Sequence, residues 1–144
     1  MQTVPLLEAL HIGPRDIVAF VGAGGKTTAI WRVADELRTL HQPVIVAPTS
    51  HILEPILPND SSLYLAPIPD PDRLLTLFNR TPRVIAAAAR ADRVNFETAD
   101  EFPPARPIKL RGLAPDTIDQ LARRMAGITW LIEADGARRR KPKH

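Results

Sequence analysis

The chain alternates between short apolar runs and longer stretches in which apolar residues recur every three or four positions. Continuous apolar runs bounded by turn residues are typical of strands buried on both faces of a parallel sheet. The runs that predict such buried strands are Ile17–Val21 and Val44–Ala47. Further strands are predicted over Ser62–Leu65, Val84–Ala88 and Thr129–Ile132, with a short one over Arg93–Phe96.

Helical spacing predicts a helix over Lys26–Leu40, a second with Asp70 as N-cap and Pro71 at its first position, and a third that Pro115 opens and Gly127 closes. A short helix is also expected ahead of the first strand. Buried strands that alternate with amphipathic helices favour a three-layer α/β fold with a mostly parallel sheet of about five strands. The residues that follow each parallel strand share one edge of the sheet, and ligands bind at that edge.

A glycine-rich turn joins the first predicted strand to its helix. Its glycines permit positive φ and close approach to a ligand, and the helix start directs free N–H groups at an anion. The lysine adds a positive charge for the outer phosphates, and the first threonine places a hydroxyl where Mg²⁺ sits in phosphate-binding loops. The residues predicted to bind a nucleotide here are Gly22, Ala23, Gly24, Gly25, Lys26, Thr27 and Thr28.

This turn departs from the G-x-x-x-x-G-K-[ST] pattern, because Gly22 to Lys26 is four steps instead of six. The shortened loop resembles that of the Mur ligases more than a standard one. It is not a dinucleotide fingerprint, since Thr27 stands where the third glycine belongs. The predicted fold is therefore P-loop NTPase-like, with a solvated glycine turn as the alternative.

Two carboxylates end the last predicted strand. Glu133 and Asp135 are two positions apart, so in an extended segment both side chains point the same way. Near a triphosphate they are predicted to hold Mg²⁺ together with Thr27, directly or through water, or one of them orients a water or a substrate hydroxyl. Lys26, Glu133 and Asp135 are the catalytic candidates. The alternative is an exposed Asp-Gly turn with an incidental glutamate.

Two weaker groups of residues follow other elements. Thr49, Ser50 and His51 come directly after the second strand and are further candidates for cofactor binding, although capping of a turn explains them equally well. Lys109 and Arg111 precede the last helix and either contact phosphates or are solvated.

Composition and charge narrow the classes of protein. The chain has 144 residues, 44% hydrophobic and 24% charged, with no Cys, which excludes a disulfide scaffold and a zinc–thiolate site and fits a reducing cytoplasm. No apolar run is long enough to cross a membrane. Five basic residues lie in the tail 138–144. The rest of the chain has 14 basic and 16 acidic residues. The basic charge thus belongs to a terminal run, so nucleic-acid binding is not favoured.

Three motifs together resemble the YqeC family: the loop Val21–Thr28, the pair His51-Ile52, and the segment Leu131–Arg139 with its E-A-D-G-A-R-R sequence. The resemblance covers nearly the whole chain. It implies an accessory protein of selenium-dependent molybdenum hydroxylases, or a protein of selenium cofactor biosynthesis. Family members continue beyond the acidic motif, so residues 1–137 are expected to be the N-terminal part of a longer nucleotide-binding domain, followed by the basic tail.

The function predicted from these features is binding of ATP or GTP with Mg²⁺, with hydrolysis or phosphoryl transfer in the maturation of such a hydroxylase. The expected partners are the nucleotide and the hydroxylase or its cofactor, with no membrane. Two alternatives stay open at this point. One is an accessory module that holds a nucleotide or cofactor without turnover, and the other is an ATP-dependent ligase similar to the Mur enzymes.

Overall fold

The computed structural model describes residues 5–13, 15–21, 25–53, 55, 57, 60–90 and 109–134. The tail, the predicted strand at 93–96, most of the glycine-rich turn and Asp135 lie outside these residues. The helices are α1 Leu6–Ala9, α2 Lys26–Thr39, α3 Pro71–Leu77 and α4 Pro115–Arg124. The strands are β1 Ile17–Phe20, β2 Val44–Pro48, β3 Ile52–Leu53, β4 Ser61–Leu65, β5 Arg83–Ala87, β6 Ala89–Arg90, β7 Lys109–Arg111 and β8 Thr129–Glu133.

Five of these strands form one parallel sheet in the order β1-β8-β2-β5-β4. The five predicted strands and the parallel α/β fold are thereby confirmed, with bounds that differ by one or two residues. The predicted cap of α3 is also confirmed, since the Asp70 carboxylate accepts a hydrogen bond from the Asp72 amide at 3.1 Å.

Helices cover both faces of this sheet because successive strand residues point to opposite sides. In β2, Val44 and Val46 pack against α2, whereas Ile45 and Ala47 pack beneath α3 and α4. α2 contributes Ile30, Val33, Ala34 and Leu37 to its side of the core. The opposite side receives Leu74 from α3 and Ile118, Leu121 and Ala122 from α4. The three-layer arrangement follows from these two separate cores.

β1 differs from the prediction that its apolar run is buried on both faces. It is an edge strand among the described elements, and its residues alternate between exposed and half-buried. Val18 and Phe20 pack toward the α2 core, but Ile17 is 56% exposed on the other face and Val21, just after the strand, is 61% exposed. The apolar run predicted the strand correctly but wrongly predicted burial of both its faces. The core beneath α3 and α4 includes no described residue of β1.

A second, antiparallel sheet was not predicted. It has the order β3-β7-β6, and each of its strands has two or three residues, too few for a recognisable period. β3 follows β2 and β6 follows β5, so the small sheet stands at the carboxyl edge of the large one. In the part of the chain that the structure describes, no helix has the length and apolar character needed to cross a membrane.

A buried arginine fixes α2 against the sheet. Arg83, at the start of β5, is 1% exposed, and its Nη1 donates to the Asp35 carboxylate of α2 at 2.6 Å. Its Nε donates to the Ser61 hydroxyl at 2.8 Å, and its Cζ lies 5.9 Å from the centroid of the Trp31 ring. These contacts therefore hold α2, which begins at Lys26, against the sheet.

We expect Ile45→Ala to lower the free energy of unfolding by about 3 kcal/mol, because it opens a cavity in a fully buried site. Ile17→Ala, which is the same substitution at the exposed edge, should cost about 1 kcal/mol or less, since little of its surface is removed from water. Urea unfolding of both variants measures the difference. Equal losses would show that the outer face of β1 is covered in solution.

Arg83→Met should cost about 3 kcal/mol, because it leaves the partners of a buried cation without their charge-assisted hydrogen bonds. Arg38→Met is the matched control: Arg38 also pairs with Asp35 and with Asp60, but its side chain is 39% exposed, so its ion pairs are weak. The same urea experiment compares the two. A loss for Arg38→Met as large as that for Arg83→Met would contradict the assignment of the anchoring role to Arg83.

Candidate functional site

The ends of three neighbouring strands form the candidate site. β8 lies between β1 and β2, and the register places Phe20, Glu133 and Pro48 side by side. Two further backbone hydrogen bonds continue the ladder beyond the strands, from the Ala134 amide to the Phe20 carbonyl at 3.0 Å and from the Thr49 amide to the Glu133 carbonyl at 2.9 Å. The chain segments that leave these strands therefore start from adjacent positions on one edge.

α2 begins at this edge. Gly25 precedes it with φ of +76°, a left-handed conformation that favours glycine, and the Gly25 carbonyl accepts the first helical hydrogen bond from Ala29. The amides at the start of a helix have no acceptor within the helix, and its dipole makes this end positive. α2 has no acidic residue in its first turn. A negative group near this end therefore comes from another element or from a ligand, and water otherwise solvates the free amides.

Lys26 is held by the end of β8. Its Nζ donates to the Ala134 carbonyl at 2.9 Å, and its side chain is half-buried. The Lys26 side chain is thus only partly exposed to solvent. The reason is that β8 lies directly beside β1, so a backbone carbonyl lies within reach of the lysine at the start of α2. An ammonium has three donors, and this contact leaves two of them for an anion.

Thr27 and Glu133 meet across the same edge. The Thr27 hydroxyl donates to the Glu133 Oε2 at 3.2 Å. Glu133 is half-buried and Thr27 is exposed, so this pair lies where the protein meets solvent. Thr28, in the same turn of α2, is exposed as well. The contact joins the Lys-Thr-Thr segment to the acidic end of the last strand, and its two residues are 106 positions apart.

Thr49 ties β2 to β8. Its amide and its hydroxyl both donate to the Glu133 carbonyl, at 2.9 Å and 3.1 Å. The hydroxyl thus uses its one donor to join the end of β2 to β8. Ser50 is half-buried and His51 is exposed in the same connection, and the contacts described for Lys26, Thr27 and Glu133 do not include either of them.

Other predicted site residues lie outside the described part of the chain. These are Gly22, Ala23, Gly24 and Asp135. Within the described residues, no group of three or more His, Cys, Asp and Glu side chains is placed to hold a metal ion. The Glu133 carboxylate meets the start of α2 through the Thr27 hydroxyl.

Sequence reasoning missed two features of this edge. One is the Ala134 carbonyl, because a backbone acceptor leaves no signature in the residue type. The other is Gly112, which follows the basic residues Lys109 and Arg111 and lies against the end of β2. Lys109 and Arg111 themselves are exposed on β7, on either side of the buried Leu110.

The fold and this edge define the class of protein. It is an open parallel α/β protein in which a helix that begins with Lys-Thr meets a glutamate at the end of a neighbouring strand, at the carboxyl edge of the sheet. The model of the family described as "YqeC protein" matches residues 18–144, which is most of the chain. The chain therefore belongs to the YqeC family.

One relative is the protein named "Uncharacterized protein YqeC" of Escherichia coli (strain K12), which is 27% identical over 122 residues. The alignment covers 85% of this chain and 41% of the relative, so the chain spans about two-fifths of the length of the curated relative it matches. No solved structure matches the chain significantly.

Proposed function

We propose that this chain binds a magnesium nucleoside triphosphate, ATP or GTP, at the edge formed by the ends of β1, β8 and β2. The observation that carries the proposal is the contact between the Thr27 hydroxyl and the Glu133 carboxylate at 3.2 Å, beside the Lys26 ammonium. In nucleotide-binding proteins of this kind, a phosphate-binding loop supplies the lysine and the threonine at a helix start, and a carboxylate from a separate strand end helps to hold Mg²⁺. In this reading the fold is P-loop NTPase-like.

The oxygen atoms fit a magnesium ion. Mg²⁺ is octahedral with oxygen ligands at about 2.0–2.1 Å, so two adjacent ligands are about 3 Å apart. The separation of the Thr27 and Glu133 oxygens, 3.2 Å, is close to that spacing. Mg²⁺ also keeps several waters and binds through one or two carboxylates and the substrate phosphates, so a single glutamate suffices as the protein's anionic ligand. Asp135 is proposed as the second carboxylate.

The charges at this edge also favour a triphosphate. The positive end of α2 has no acidic residue of its own in the first turn, and Lys26 adds an ammonium there. In this proposal Glu133 holds the cation that offsets the remaining phosphate charge. When bound, Mg²⁺ would neutralise phosphate charge, while Lys26 binds the outer phosphates and Glu133 orients the metal or a water.

Membership in the YqeC family supports a place for this nucleotide chemistry in the maturation of a selenium-dependent molybdenum hydroxylase, with hydrolysis or phosphoryl transfer as the reaction. Thermal unfolding with ATP and with GTP, each with Mg²⁺ and with EDTA, tests the binding step first. A ligand at one hundred times its Kd should stabilise the protein by about 2.7 kcal/mol. Release of phosphate from the bound nucleotide then separates turnover from binding alone.

We predict that Lys26→Ala weakens triphosphate binding about 10- to 100-fold, because a charge-assisted hydrogen bond to phosphate contributes about 1.5–3 kcal/mol. Calorimetric titration measures the change in Kd. Arg123→Ala is the matched control: it also removes one positive charge, from the exposed last turn of α4, near the opposite edge of the sheet. An unchanged Kd in Lys26→Ala would remove the phosphate-binding role.

Glu133→Gln should abolish most of the gain in affinity that Mg²⁺ provides, while binding in EDTA stays the same or becomes tighter. The substitution removes the anionic metal ligand and also a negative charge near the phosphates. Asp135→Asn should show the same pattern. Glu8→Gln, at an exposed position of α1, is the control for loss of one negative charge. If Glu133→Gln keeps the full effect of Mg²⁺, Glu133 does not bind the metal.

A further inference from the structure

Gly112 lies closer to another part of the backbone than a residue with a side chain would permit. It follows β7, and the next residue, Leu113, donates its amide to the Pro48 carbonyl at 2.9 Å. A Cβ atom on Gly112 would lie 2.6 Å from the Thr49 carbonyl carbon, 2.7 Å from the Pro48 carbonyl carbon, and nearer still to the Pro48 oxygen. All three are backbone atoms, so no side-chain rotation relieves the contact.

The segment that carries Gly112 is fixed on its own side. Leu110 is 0% exposed in the α2 core and Leu113 is 1% exposed in the opposite core, so both faces of this segment are anchored. The Arg111 carbonyl also accepts the Ala88 amide at 2.8 Å. Because this segment is held on both sides, an added side chain at Gly112 would push on the end of β2.

The end of β2 leads directly to the candidate site. Thr49 gives two hydrogen bonds to the Glu133 carbonyl, and the carboxylate of the same Glu133 accepts the Thr27 hydroxyl. Gly112, Thr49, Glu133 and Thr27 are thus linked by consecutive contacts from the small sheet to the start of α2.

We infer that Gly112 is a positioning residue for the proposed metal ligands Thr27 and Glu133. Because Gly112 has no side chain, the backbone of Pro48 and Thr49 can lie against it, and in that position Thr49 holds Glu133 opposite Thr27. This inference rests on the proposed function, since it assigns Gly112 to the placement of the Mg²⁺ ligand. It adds a residue outside the two motifs, one with no chemistry of its own.

The test is Gly112→Ala, read in two ways. Amide hydrogen exchange, monitored by NMR, should be at least tenfold faster at Thr49 in the variant than in the wild type, because the hydrogen bond from the Thr49 amide to the Glu133 carbonyl is disturbed. Titration with ATP should give a Kd in EDTA within twofold of the wild-type value, together with a five- to tenfold loss of the gain in affinity from Mg²⁺. A merely structural role would lower both affinities in proportion to the folded fraction and leave their ratio unchanged.

Gly127→Ala is the matched control. Gly127 has φ of +103° with nothing within 4 Å of its added Cβ, and it precedes β8 at the amino edge of the sheet, so alanine strains the backbone away from the site. This variant should keep the wild-type effect of Mg²⁺. Thr49→Val removes the hydroxyl bond without crowding at Gly112 and should also reduce the effect of Mg²⁺, which keeps the test open if Gly112→Ala does not fold.

The outcomes separate the two proposals. If the wild-type chain binds no magnesium nucleotide, the proposed function is wrong and the positioning role falls with it. If the wild type binds while Gly112→Ala keeps the full effect of Mg²⁺ and slow exchange of the Thr49 amide, only the role of Gly112 is overturned. Where Gly112→Ala does not fold, a full effect of Mg²⁺ in Thr49→Val overturns it in the same way.

Discussion

The parallel pairing of β8 between β1 and β2 is the constraint on which the rest of this edge depends. Parallel pairing brings the carboxyl ends of the strands to one side, and the register aligns Phe20, Glu133 and Pro48 in one row. A shift of one residue in β8 would turn Glu133 to the opposite face of the sheet, because side chains alternate along a strand. Its contact with Thr27 would then be lost.

The register is itself held by the two cores. Along β8, Trp130 and Ile132 belong to the core beneath α3 and α4, whereas Leu131 belongs to the α2 core. Moving β8 by one position would exchange these residues between two cores of different shape, which close packing does not tolerate. The apolar residues of β8 thus determine where its terminal carboxylate lies, and the contact of Thr27 with Glu133 is a consequence of packing well below the edge.

The same edge joins groups of opposite charge from distant parts of the chain. The positive start of α2, with Lys26, faces the carbonyl of Ala134 and the carboxylate of Glu133. The small antiparallel sheet closes the other side, where Gly112 and Leu113 contact the end of β2. β1, by contrast, is less buried than its apolar sequence predicts, since no described helix packs over the face that carries Ile17.

Local patterns in the sequence determined the elements: the apolar run of β2, the helical spacing of α2 and the Asp70-Pro71 cap of α3 each depend on neighbours within a few positions. They also pointed to Lys26, Thr27 and Glu133 as residues with chemistry. Only the tertiary structure decided that β8 lies between β1 and β2, that Ala134 offers its carbonyl to Lys26, and that Gly112 lies against Pro48. Strand order, backbone acceptors and close approach are contacts between residues far apart in the chain, and periodicity carries no information about which strands become neighbours.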